Sequence, residues 1–326
     1  MKDVVWGIIG CGDVAEIKSG SAFQICENSS LLAVMRRDKE KAQDFAKRHN
    51  VPLFFDTAES ILNYPEINAV YIATPPSTHL SYAIEALKHN KNVYLEKPMT
   101  LNSEEAKVLC EALELSHSKL TVAHYRRKLP AFLKVEQLLK EGVIGDIIYA
   151  DIQILQPRTN NIIANTEDNW RLNPTISGGG YFHDLAPHQI DLMLKWFGKA
   201  KWVKGFNSEA IPNVSTTVNG IIEFESGVQF RGLWSFNVSE ANKKDECLIS
   251  GTKGYIKFSF FGDKVELHTD GETTTFQFEN PKHIQQPMIQ NTVDYFLGKK
   301  YNPCTADEGL SVLEIMDTFT KKSLDY

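Results

Sequence analysis

The sequence predicts an α/β fold: an N-terminal doubly wound parallel sheet, followed by a C-terminal α+β domain with a large, mostly antiparallel open sheet. Three observations predict it. Short apolar runs alternate with helix-period segments through the first third of the chain. A glycine-rich turn follows the first of those runs. Farther on, longer strand-like runs are separated by Ser-Gly, Thr-Lys-Gly and Asp-Gly turns, which suit antiparallel hairpins.

The strand candidates of the first part are VVWGIIG, LLAVMR, AVYIAT, NVYLEK and LTVAHY, with helices in DKEKAQDFAKRH and HLSYAIEALKHN between them. Strands that alternate with helices of this length form βαβ units. Parallel strands covered on both faces read as near-continuous apolar runs, as these do. The division is placed after residue 122, giving domains of residues 1–122 and 123–326. In the second, the helix AFLKVEQLLKEG leads to the strand DIIYADIQILQP, a polar loop and a glycine-rich helix start. NGIIEFESGVQFRGLWSFN, ECLISGTKGYIKFSF and VELHTDGETTTFQF then read as strands with hairpin turns, and ADEGLSVLEIMDTFTKKSL as a closing helix.

A chain of 326 residues is long enough for a core in each domain. Its net charge of −6 and scattered lysines and arginines argue against a nucleic-acid partner or a membrane-binding arm. The five cysteines (Cys11, Cys26, Cys110, Cys247 and Cys304) are odd in number and form no CxxC pair, which argues against a disulfide framework and a zinc knuckle. The first apolar run is too short for a signal peptide, and no stretch reaches the length of a membrane span. The expectation is a reduced, cytoplasmic protein.

The first strand runs into Gly10-Cys11-Gly12-Asp13-Val14-Ala15, a GxGxxA turn in the strand-to-helix context that gives this pattern meaning. Gly10 permits the tight turn, Gly12 lets a pyrophosphate approach the backbone, and Ala15 keeps the helix close to the strand. Cofactor contacts are therefore expected along Gly10, Gly12, Asp13, Val14 and Ala15. The second strand ends AVMRRD, where an NAD-preferring site carries an acid for the ribose hydroxyls. Arg36 and Arg37 stand there instead, and guanidinium groups suit a 2′-phosphate. Asp38 reads as the N-cap of the next helix. The preferred cofactor is NADP(H), with NAD(H) as the alternative and a solvated arginine pair as the non-functional reading.

In KNVYLEKPMTL, Val93, Tyr94 and Leu95 read as a buried strand, and Glu96, Lys97 and Pro98 follow with no turn residue between. Strands of a doubly wound sheet deliver their C-terminal ends to the cofactor crevice. That places Lys97 there, together with Thr74 and Pro75 of YIATPPSTH. Thr74 and His79 are expected at the cofactor, with helix capping by Ser77 as the alternative reading of that segment. In GGGYFHDLAPHQIDLM, Pro187 is expected in the first turn of a helix, with Asp184 near its N-terminus and His188 one turn later on the same face.

These motifs, with Tyr125-Arg126-Arg127 and Asn169-Trp170-Arg171 in the same order, resemble the Gfo/Idh/MocA oxidoreductase family over essentially the whole chain. The resemblance implies Lys97, Asp184 and His188 as catalytic residues, Glu96 and Arg171 near the cofactor, and Tyr125 and Trp170 near the substrate. It also implies a homodimer or homotetramer assembled through the open sheet. Hydride transfer from a secondary alcohol needs a proton acceptor, a role that suits His188. Lys97 would polarise the oxygen, and Asp184 would orient His188, grip a neighbouring hydroxyl, or simply cap the helix. His183 departs from the family pattern, as does DLAPH; a metal held by His183, Asp184 and His188 is not expected, because the chemistry needs none. The implied activity is hydride transfer between NADP(H) and a sugar, polyol or related alcohol or ketone. An NAD-dependent dehydrogenase and a dinucleotide-sensing regulator without turnover are the alternatives.

Overall fold

Six short strands pair in parallel: β1 (Val4–Ile9), β2 (Ser29–Met35), β3 (Leu53–Phe55), β4 (Ala69–Ile72), β5 (Asn92–Leu95) and β6 (Leu120–Val122). Their order is β3-β2-β1-β4-β5-β6, the doubly wound arrangement whose direction reverses between β1 and β4. The computed structural model describes residues 2–158 and 169–321; the polar loop expected ahead of Asn169 lies largely outside the described residues. Every residue of β4 is buried, which is why the strand reads as an unbroken apolar run. The three residues of β3 are too few for a sequence pattern, and that strand was not among the expected runs.

Asp38 caps the helix Lys39–Arg48 as expected, accepting from the Lys41 N–H at 3.1 Å. The stretch after the glycine turn is less regular than expected. Ala15–Ser19 is π-helical, closed by the Gly20 N–H bonded to the Ala15 carbonyl, and Ala22–Ile25 adds one further turn.

The chain groups into two units, Met1–Arg127 with Pro281–Leu313, and Lys128–Asn280 with Glu314–Tyr326. A single cut after residue 122 therefore does not describe the packing. Residues 281–313 join the first unit through side chains that sequence proximity cannot reveal: Gln290 accepts from the Glu27 N–H, and Asn302 donates to the Leu120 carbonyl.

The second unit is built on eight strands: β7 (Ile147–Leu155), β8 (Ala200–Ile211), β9 (Val214–Phe224), β10 (Gln229–Ser235), β11 (Lys244–Gly251), β12 (Gly254–Phe258), β13 (Lys264–Thr269) and β14 (Glu272–Gln277). They run β14-β13-β12-β11-β7-β10-β9-β8, with β7 and β10 parallel and the other neighbours antiparallel. Asp270 and Gly271, both at positive φ, make the left-handed pair that a two-residue hairpin turn requires. The helix Tyr181–Phe197 covers one face, burying Phe182, Leu185, Ile190 and Met193, and Gln189 accepts from the Trp234 indole N–H on β10 at 3.2 Å. Gly205 on β8 faces Gly220 on β9, and the Phe319 ring occupies the room their missing side chains leave. The opposite parity of the strands carries exposed Trp202, Phe206, Ile221 and Tyr149.

Pro187 is not in the first turn. It lies inside Tyr181–Phe197, whose N-cap is Gly180. The missing N–H leaves the His183 carbonyl without its usual helix donor, and the remaining bonds carry the helix through.

Candidate active site

In the first unit, the glycine turn is fastened to the end of β2: the N–H groups of Gly10 and Cys11 both donate to the Met35 carbonyl, at 2.9 and 3.0 Å. Gly10 has φ 98°, and a Cβ there would lie 2.8 Å from Thr74 Cγ2; a Cβ on Gly12 would meet nothing within 4 Å. The turn is thus closed beneath Gly10 and open above Gly12, the space a pyrophosphate requires. Asp13 is exposed, Val14 half-buried and Ala15 buried against the sheet. Because β2 ends at Met35, Arg36 emerges beside this turn. Its charge reaches the Cys11 thiol, although burial dominates there and pushes that thiol up to about 11. Arg37 is exposed. A bidentate pair from Arg48 to Glu16, at 2.5 and 3.0 Å, braces the helical stretch from outside and holds the Glu16 carboxyl below its ordinary range.

Thr74 and Pro75 sit half-buried where β4 ends, and the Thr78 hydroxyl donates to the Thr74 hydroxyl at 2.8 Å. Ser77 does not cap a helix; it is exposed within the 3-10 turn Pro76–Thr78, which has no side-chain cap. His79, expected at the cofactor, is instead fully buried. Its Nδ1 lies 2.9 Å from the Pro98 carbonyl oxygen and its Nε2 2.8 Å from that of Thr74, so the ring spans the ends of β4 and β5. Burial holds its pKa below the ordinary histidine value, with the two carbonyls and Glu96 acting in the opposite sense.

Glu96 also turns inward. Its Oε1 accepts from the Tyr71 hydroxyl and the Gln285 amide, each at 2.6 Å, and its Oε2 accepts from the Lys97 N–H at 3.2 Å. Lys97 itself is half-buried, and the Lys97–Pro98 peptide is cis. Tyr125 and Arg126 lie in a 3-10 turn after β6 and are both 4% exposed, with the Arg126 guanidinium 5.3 Å from the Tyr125 ring centre.

In the second unit, Asp184 lies in the first turn of Tyr181–Phe197 and His188 one turn later. Asp184 is not the N-cap; its Oδ2 accepts from Arg171 Nε at 2.9 Å. Arg171, expected near the cofactor, is 5% exposed and packs its guanidinium over the Trp170 ring at 4.5 Å. His188 is buried. His183 stands edge-on to Phe182 and fills the space beside Gly179; burial pushes its pKa down to about 4, against the opposing charge of Asp317.

The residues that reasoning from the sequence missed are those behind Glu96: Ser19, Tyr71, Tyr94 and Gln285. One signal was available. Tyr71 and Tyr94 are direct register partners in two buried strands, and buried phenols require partners for their hydroxyls. Nothing marked Gln285.

Open space over Gly12 at the turning point of a doubly wound sheet marks the first unit as a dinucleotide-binding domain. Residues 4–124 match the oxidoreductase family with an NAD-binding Rossmann fold, and residues 132–257 match the GFO/IDH/MocA C-terminal domain. The chain is 53% identical over 314 residues to Oxidoreductase P35 of Formosa agariphila, covering 96% of this chain and 97% of that one. It is 24% identical to scyllo-inositol 2-dehydrogenase (NADP(+)) of Bacillus subtilis, over 97% and 93% of the two chains. Among solved structures, an oxidoreductase from Thermotoga maritima superposes with a TM-score of 0.86 at 25% identity, covering 97% of this chain and 95% of that one. The protein belongs to the Gfo/Idh/MocA family of oxidoreductases.

Proposed function

We propose that the protein transfers a hydride between NADP(H) and a secondary alcohol or ketone of a sugar, polyol or related small molecule. The observation that carries the cofactor preference is Arg36 beside the glycine turn, with the nearby carboxylate of Asp38 committed to capping the next helix. Gly10, Gly12 and the following backbone would hold the pyrophosphate, Arg36 and Arg37 the 2′-phosphate, and Thr74 and Pro75 the approach to the nicotinamide. The bound cofactor supplies or accepts the hydride.

The chain's own residues would do the rest. Lys97 donates hydrogen bonds to the reacting oxygen and stabilises the charge that develops on it. His188 takes the hydroxyl proton in oxidation and returns it in reduction. Asp184, held by Arg171, grips a neighbouring hydroxyl or orients the imidazole, while Tyr125 and Trp170 are assigned to the substrate. The substrate class is supported by the named activity of the B. subtilis relative. A cytoplasmic setting is supported by the cysteine spacing; among the described residues no helix is long and apolar enough to cross a membrane.

A charge-assisted hydrogen bond contributes roughly 1.5–3 kcal/mol. NADPH is therefore expected to bind roughly 10–100-fold more tightly than NADH by fluorescence titration, and Arg36→Asp to remove that preference. A sugar and polyol panel with the preferred cofactor then identifies the substrate. Equal affinity of the wild-type protein for both nucleotides would overturn the cofactor assignment, and absence of turnover across the panel would favour a dinucleotide-sensing role.

A further inference from the structure

We infer that Gln285, Tyr71 and Ser19 are positioning residues for Lys97: through the Glu96 carboxylate they fix where the lysine's turn begins and tie it to the helical stretch after the glycine turn. The inference rests on the catalytic assignment of Lys97.

The network closes on itself within the first unit. The Ser19 hydroxyl donates to the Tyr71 hydroxyl at 3.1 Å, and Tyr71 donates to Glu96 Oε1 at 2.6 Å. Gln285 Nε2 reaches the same oxygen at 2.6 Å, the Gln285 backbone N–H donates to the Lys18 carbonyl at 3.3 Å, and Tyr94 donates to Gln285 Oε1 at 3.1 Å. Lys18 and Ser19 are chain neighbours, so two separate routes run from that stretch to one carboxylate oxygen. Ser19, Tyr71, Tyr94 and Gln285 are 0% exposed. Burial and the Glu96 charge hold the Tyr71 phenol well above its ordinary pKa, so it remains a donor.

The other carboxylate oxygen faces the active-site turn. The Glu96 N–H still donates to the Ile72 carbonyl in the manner of the sheet ladder, but β5 has ended, and the next N–H, that of Lys97, donates to Glu96 Oε2. His79 meets the Pro98 carbonyl one residue farther on. A fully satisfied buried polar network selects one arrangement of the groups it joins, where an apolar core of the same volume tolerates several. Here the groups joined are the backbone of a catalytic lysine and the segment that leads away from the phosphate turn. The seating of the cofactor and the placement of the ammonium are thereby mechanically linked.

The test is a double-mutant cycle in the full-length protein. Tyr71→Phe and Gln285→Met are each expected to lower turnover by about 10–100-fold, since displacing a catalytic group by about 1 Å has effects of that order. NADPH affinity and the thermal midpoint of the remaining folded protein are measured beside it. Lys97→Met added to Gln285→Met should lower turnover much less than Lys97→Met does alone, because an ammonium already displaced has less to lose. Additive effects, or loss of turnover only in proportion to loss of folded protein, would overturn the inference while leaving Lys97 catalytic. Wild-type turnover in Lys97→Met alone would remove the catalytic assignment and the inference with it. Should Gln285→Met fail to fold, Tyr71→Phe loses only a hydroxyl and supports the same cycle.

Discussion

At the scale of single residues, Lys97 is the residue whose placement the sequence announces most clearly. A half-buried lysine two residues after the buried run Val93-Tyr94-Leu95 has no structural reason to be there unless something polar meets it. Lys97→Met keeps the length and removes the charge, and it is expected to lower turnover by about 10²–10⁴-fold with NADPH affinity nearly unchanged. Steady-state kinetics beside a nucleotide titration decides this, and turnover equal to wild type would remove Lys97 from the mechanism. The other residues expected at the cofactor were less legible. Glu96, His79 and Arg171 belong to motifs that pointed to the cofactor, and all three turn inward, to Tyr71 and Gln285, to two carbonyls, and to Asp184. A motif records which residues stand together, while the side a side chain faces depends on strand pleat and on partners far away in sequence. Gln285 lies 189 residues from the carboxylate it meets.

At the scale of elements, most strands and about half of the helices followed from apolar runs and caps; β3, β8 and the helix Ser103–Glu114 did not, and the helix Tyr181–Phe197 began earlier than its proline suggested. The proline rule speaks of intrinsic cost, and a helix buried along most of its length outweighs one missing bond. That helix carries a pH-sensitive group. An unperturbed histidine is protonated below about 6.5, but burial keeps His183 neutral until about 4. Between those values the unfolded chain binds more protons than the folded one, so stability is complete above about 6.5 and declines as pH falls towards 4, by up to about 3 kcal/mol from this ring. His79, also depressed by burial, acts in the same direction. Urea unfolding of wild type and His183→Met across this range should show a shallower decline in the variant; identical slopes would exclude His183. The sheet offers a second test. Gly220→Ala places a methyl group against the Phe319 ring, beneath which Gly205 also lies, and is expected to destabilise the protein by about 1–3 kcal/mol in denaturant. An unchanged midpoint would mean that the ring shifts freely.

At the scale of the whole molecule, the two kinds of sheet and their succession along the chain were legible because each has its own signature, continuous apolar runs in one and punctuated hairpins in the other, whereas the strand order within each was not. The open face of the second sheet leaves Trp202, Phe206, Ile221 and Tyr149 exposed, Phe206 by 65%. Large apolar side chains left exposed on one sheet face, even with polar register partners between them, suit an interaction surface, and a second copy of this chain is the expected occupant. Phe206→Asp combined with Trp202→Lys should reduce the mass in solution measured by analytical ultracentrifugation, with turnover per folded chain as the control. A wild-type monomer, or an oligomer indifferent to both changes, would remove this face from assembly.

The return of residues 281–313 to the first unit has a consequence during synthesis. Domains generally fold as they leave the ribosome, first the N-terminal one. Here Glu96 emerges 189 residues before Gln285, which is roughly 10–40 s at ordinary elongation rates. Throughout that interval a carboxylate meant for a dry interior lacks one of its donors, and the end of β5 stays unfinished while the entire second sheet is being made. A fragment ending at Arg127 would hold every glycine of the phosphate turn and still lack the Gln285 donor to Glu96. Completion of the turn that carries Lys97 thus becomes a late event, one that waits until every strand of the second sheet has been made.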